Sequence, residues 1–124
     1  MSVMKGYEGP EFPVHTTAVI ESGVYADIES CDGVKLGSFQ NKVTVLPGNH
    51  MVELAYHAQS MGDTVFYSRA VAFVTFNAEA GHTYVAYADM IGNSGWVARI
   101  KEKLTGEQIA QSGILPIEVE HQPM

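Results

Sequence analysis

One cysteine, one tryptophan and seven lysine plus arginine residues in 124 make scarcity the first information this chain gives. Cys31, standing alone, cannot close an intrachain disulfide, and the absence of CxxC pairs excludes zinc sites of that construction. A lone thiol occurs in reducing and oxidising compartments alike, so Cys31 reads most simply as a small apolar residue beside a turn. Seven basic residues against 14 acidic ones leave a formal net charge of -7. That mean field repels phosphate backbones and anionic headgroups, and nucleic acid is not expected as a partner. No apolar run approaches the roughly 18 residues of a membrane-spanning helix. The first 20 residues also lack the charged start and apolar block of a signal peptide. Charged residues make up only 17% of the chain and apolar ones 46%, a balance that excludes the disordered class.

What is present is alternation. A chain of this length has room for one core. Residues 1–14, with Gly6, Gly9, Pro10 and Pro13 and no sustained apolar period, read as an extended leader. From there the dominant period is two, punctuated by Gly, Asn, Asp and Pro. Strands are predicted around Val19, from Val24 to Glu29 with Val24, Ala26 and Ile28 inward, and over Lys42 to Leu46. The next strand places His50, Val52, Leu54, Tyr56 and Ala58 inward. Val65 to Phe76, apolar on both faces, predicts one long central strand. His82 to Asp89 follows, then a strand with Trp96, Ala98, Ile100 and Leu104 inward and Arg99, Lys101 and Lys103 on its solvated outer face. Asp32-Gly33, Pro47-Gly48 and Thr105-Gly106 supply turns, the last closing a hairpin into Glu107 to Gln111. Seven or eight such strands are best satisfied by two packed antiparallel sheets, an all-β sandwich over 15–115, with a barrel as the alternative. Residues 116–124, rich in Glu and Pro, read as a flexible tail.

The search for chemistry nominates little. GxSxG, GxGxxG, P-loop and HExxH motifs are all absent, so neither an enzyme nor a cofactor is expected. Five histidines, His15, His50, His57, His82 and His121, are the candidate metal ligands. His50 and His57 differ by seven and fall on opposite strand faces. His50 and His82 each begin a strand after a glycine-containing turn, so the two imidazoles could approach if those turns share one end of the sandwich. Asp27 with Glu29, and Glu118 with Glu120, alternate on shared faces without a cleft to converge in. Tyr25, Tyr67 and Tyr87 face away from their strands' smaller apolar residues and are the candidate partner surface, while Trp96 reads as core.

Two stretches carry a resemblance. Cys31-Asp32-Gly33-Val34-Lys35-Leu36-Gly37, followed by Val43 to Leu54 with its Pro47-Gly48-Asn49-His50 turn, resembles the PEGA-type repeat of strand, DG turn, short strand and PGxH turn. Tyr7-Glu8-Gly9-Pro10-Glu11 and Ala78 to Tyr84 are similar to a group of small bacterial envelope lipoproteins of uncharacterised function. The resemblance implies a sandwich of the PEGA, transthyretin or immunoglobulin-like kind on the periplasmic side of the cell envelope. It also implies a tether through a lipidated cysteine ahead of the YEGPE segment, although no cysteine stands near Met1. The functional expectation is a non-enzymatic binding domain that presents a sheet face or edge to a protein or envelope glycan. The rival is a small-ligand or metal-binding domain built on His50 and His82.

Overall fold

The computed structural model describes residues 2–10, 12–37, 40–92 and 94–121. Strands dominate it, and the one helical element among the described residues is a single 3-10 turn at Val14–Thr16. In chain order the strands begin with β1 (Ser2–Lys5), β2 (Ala18–Ser22), β3 (Ala26–Cys31), β4 (Val34–Lys35) and β5 (Gln40–Val45). They continue with β6 (Gly48–Tyr56), β7 (Gln59–Met61), β8 (Thr64–Tyr67), β9 (Val71–Ala78) and β10 (Thr83–Ile91). The last are β11 (Gly95–Glu102), β12 (Gln108–Gln111), β13 (Leu115–Pro116) and β14 (Glu118–His121). The fold is therefore all-β and sandwich-like, with 14 strands among the described residues where the sequence predicted seven or eight. The excess comes from short strands such as β7 and β13 and from strands in the segments read as leader and tail.

Three sheets hold these strands. The largest runs β1-β5-β2-β10-β11-β12, with β13 also on β11; a second runs β4-β3-β6-β9, and a third β14-β8-β7. None closes on itself in this order, so the sheets end in edges, unlike a barrel. Most pairings are antiparallel, but β1 with β5 and β2 with β10 are parallel. Those exceptions join strands distant in sequence: between β2 and β10 the chain builds β5, the whole four-stranded sheet and two strands of the third, and no hairpin links the pair.

Period-two sequence explains the core. On β9, Ala72, Val74, Phe76 and Ala78 are buried while Val71, Phe73, Thr75 and Asn77 are exposed. β6 buries Val52, Leu54 and Tyr56, and the facing sheet contributes Ala18, Ile20, Val43, Val45, Tyr84, Ala86, Trp96, Ala98 and Ile100. Tyr56 and Trp96 meet in the middle with ring centroids 5.6 Å apart, as do Phe76 and Tyr84 at 4.9 Å.

Several sequence expectations are corrected. Val24 is 62% exposed, because the chain turns there through Tyr25 at φ 60 before β3 begins. Leu104 is 92% exposed, since β11 ends at Glu102 and Leu104 sits in the turn ahead of Gly106. The single central strand expected over Val65 to Phe76 is two strands in different sheets. At the break, the Ser68 hydroxyl donates to the Pro116 carbonyl at 2.7 Å and accepts the Ala70 amide at 3.2 Å, a local alternative to ladder pairing. The ordered body is also wider than 15–115. β1 lies along β5, Ile117 joins the core, and β14 pairs with β8. Residues 122–124 of the expected tail lie outside the described residues.

Candidate functional site

Two places concentrate chemistry. The first lies where the end of β3 meets the start of β6. The Asp32-Gly33 pair connects β3 to β4 with φ of 52 and 83, both left-handed, as a two-residue hairpin turn requires. Asp tolerates that region better than most residues because its short polar side chain bonds locally. Here it reaches β6: Asp32 Oδ1 accepts the Met51 amide at 2.8 Å and Oδ2 lies 2.5 Å from His50 Nδ1. The Asp32 amide in turn donates to the Met51 carbonyl at 2.8 Å, prolonging the β3–β6 ladder by one step. His50 Nε2 donates to the Leu46 carbonyl at 2.5 Å, so both ring nitrogens face oxygen acceptors. Cys31 completes the cluster, its Sγ 3.9 Å from Asp32 Oδ2. One ligand atom from each of Cys31, Asp32 and His50 lies within 4.8 Å of the other two.

The electrostatics follow. Burial pushes the Asp32 carboxyl up, but the bonds from His50 and the Met51 amide more than offset this and hold it below the usual carboxylate value. Burial first, and then the Asp32 charge, push the Cys31 thiol up to about 12. At neutral pH it is a thiol, which is the wrong state for a nucleophile.

The second place is the free side of β9. In the four-stranded sheet β9 pairs only with β6, and its outer flank has no backbone partner among the described residues. Met51 both donates to and accepts from Asp32 on the β3 side. Its own backbone therefore faces away from β9, and the opposed Thr75 belongs to a pair without ladder bonds. By period two, Val71, Phe73, Thr75 and Asn77 all turn their N–H and C=O groups to the open edge, while Ala72, Val74 and Phe76 bond to β6. Phe73 is 55% exposed, and no residue of β9 is charged.

That edge opens on a cleft of about 400 Å3, bounded by β9 on one side and β12 on the other and lined by Phe76, Tyr84 and Ile109 among others. Glu79 and Glu107 stand on its rim. Glu102 also lines it; its carboxylate accepts the Thr105 amide and hydroxyl, both at 2.8 Å, and the Leu104 amide at 3.2 Å. These donors, Thr105 foremost, outweigh burial and keep the carboxyl below its ordinary value. His82 stacks on Tyr84 and lies 3.4 Å from Glu79 and 3.9 Å from Glu102. A larger groove of about 470 Å3 near the chain start is lined by the leader's own Tyr7 and Phe12, whose rings meet at 5.5 Å.

The sequence-nominated residues scatter. His50 and His82 belong to the two separate places just described, each with its own partners. His57 pairs with Asp27 at 3.0 Å, His15 lies exposed in the 3-10 turn, and His121 ends β14. Tyr25 occupies the turn between β2 and β3, Tyr67 lies on β8 beneath Arg69, and Tyr87 on β10 beneath Lys101. The three rings thus stand on three different elements. Glu118 pairs with Arg69 at 3.1 Å, and Arg99 pairs with Asp89, also at 3.1 Å. Sequence reasoning missed the partnership of Cys31 and Asp32 with His50, although the Asp32-Gly33 turn and the turn before His50 were both visible. It also missed that β9 is an edge, because alternation reports faces and carries no signal for neighbours.

Fold and geometry define an all-β sandwich-like domain with an unpaired strand edge beside an acidic cleft. Comparison of the chain with known protein families, with curated proteins and with solved structures finds no match to any of them.

Proposed function

We propose that this is a non-enzymatic binding domain of the bacterial envelope, and that β9 takes an extended basic segment of a partner protein as an added strand. The observation that carries the reading is the open flank of Val71, Phe73, Thr75 and Asn77, an uncharged strand of eight residues. Edge strands are ordinarily blunted by lysine, proline or a bulge. This one has none of these, and main-chain bonding along such an edge gives affinity while side-chain pockets give selectivity. The acidic rim at Glu79 and Glu107 and the net charge of -7 favour a basic occupant. Support for a role without catalysis comes from the Cys31 thiol, held protonated, and from Glu21 and Glu102, whose carboxylates are already engaged by lysines and by turn donors. The envelope placement rests on the resemblance of the Cys31 to Leu54 region to PEGA-type repeats.

Panning a random peptide display library on the intact chain tests the reading. Enriched peptides are expected to alternate apolar residues with Lys or Arg, to bind more weakly in high salt, and to lose binding to Thr75→Pro. That substitution removes an outward donor and no bond to β6, so a folded variant is expected by circular dichroism. An absence of enrichment, or peptides that bind the folded variant equally well, overturns the proposal.

A further inference from the structure

Independently of β9, we infer that Cys31, Asp32 and His50 form a binding site for a borderline divalent transition metal of the zinc class. One sulfur, one oxygen and one nitrogen converge within 4.8 Å, and zinc accepts all three donor types. Cys31 ends β3, Asp32 follows it in the turn and His50 lies on the adjacent β6, in a register fixed by the Cys31–Val52 and Cys31–Val34 pairings and by the bond from the Asp32 amide to the Met51 carbonyl. Little rearrangement separates this arrangement from a coordination shell. His50 Nδ1 and Asp32 Oδ2, now in direct contact at 2.5 Å, must part to the roughly 3.3 Å edge of a tetrahedron with ligand bonds of about 2 Å.

The outer shell supports the same reading. Ligating imidazoles commonly donate their second ring N–H to a backbone carbonyl, which fixes tautomer and orientation. His50 Nε2 already does this at the Leu46 carbonyl, leaving Nδ1 as the ligand. Asp32 Oδ1 is likewise held by the Met51 amide, which leaves Oδ2 for the ion. The His50 side chain is only 12% exposed while that of Asp32 is 43% exposed, so the ion would enter from the Asp32 side and keep water as a fourth ligand. On binding, the Cys31 sulfhydryl proton passes to solvent as the sulfur–metal bond forms, and His50 Nδ1 gives up any proton it holds. No electron changes hands.

Cobalt(II) titration of the intact protein under reducing conditions is the test, followed by competition with zinc. One equivalent is expected to give the visible absorption of a tetrahedral ion together with a thiolate-to-cobalt charge-transfer band, both abolished by zinc. Cys31→Ser, nearly isosteric, should fold normally and lose the charge-transfer band. His50→Gln should weaken binding by at least ~10-fold, and His82→Gln should change nothing. No tetrahedral spectrum in the wild-type chain, or a charge-transfer band that survives Cys31→Ser, overturns the inference.

Discussion

Ser68 is the residue on which three segments meet. Its hydroxyl accepts the Trp96 indole N–H at 3.0 Å, donates to Pro116 and accepts the Ala70 amide. Because Trp96 is wholly buried, Ser68→Ala strands an indole donor without water. It should lower stability by about 1–3 kcal/mol in denaturant titration. Glu21 is the second informative residue, lying 3.2 Å from Lys42 and 2.9 Å from Lys103. Burial raises its carboxyl, but the two lysines outweigh burial and leave it below its ordinary 4.5. The folded chain thus binds this proton less readily than the unfolded one. The associated stability is whole above about pH 4.5 and drains away as the pH falls through the lower folded value. Thermal melts should show that acid slope, and Lys103→Met should flatten it. An unchanged slope would remove Glu21 from the account. A third residue-level contrast tests the packing directly. Leu54→Ala, at a fully buried position, should cost about 2–5 kcal/mol, whereas Leu104→Ala should stay within about 0.5 kcal/mol. Both leucines alternate correctly with their neighbours, and only the end of β11 separates their fates.

At the scale of elements, the burial of Val52, Leu54 and Tyr56 on β6 and of Trp96, Ala98 and Ile100 on β11 was legible because period two alone determines which side chains share a face. Ala58, expected inward with the β6 set, is exposed because β6 ends at Tyr56. The break at Ser68 was not. Val65 to Tyr67 and Val71 to Phe76 are rich in strand formers on either side of Ser68-Arg69-Ala70, and the interruption there is held by a bond to Pro116, 48 positions away. β14 was hidden for a similar reason: Glu118 and Glu120 look solvated, yet the segment gains a place by pairing with β8 and by Ile117 entering the core. The cluster of Cys31, Asp32 and His50 was half legible. Each turn was readable by itself, but their juxtaposition follows from the β3–β6 pairing, which a single sequence does not encode locally. A small three-stranded sheet carries less ladder and core than its neighbours. Amides of β7, β8 and β14 should therefore exchange with deuterium sooner than those of β6, β10 and β11. Equal protection across all six strands would contradict that ordering.

For the whole molecule, the arrangement places its core between the β4-β3-β6-β9 sheet and the larger β1-to-β12 sheet, and leaves β9 and β12 as facing edges across an acidic cleft. The binding proposal turns on the open flank of β9. The most direct measurement is residue-resolved hydrogen exchange over Val71–Ala78, with and without a peptide selected from the display library. In the free protein the amides of Val71, Phe73, Thr75 and Asn77 should exchange freely while those of Ala72, Val74 and Phe76 stay protected, and the peptide should protect the first set. Protection of both sets before any peptide is added, or open-edge amides that stay unprotected at saturation, would contradict the account.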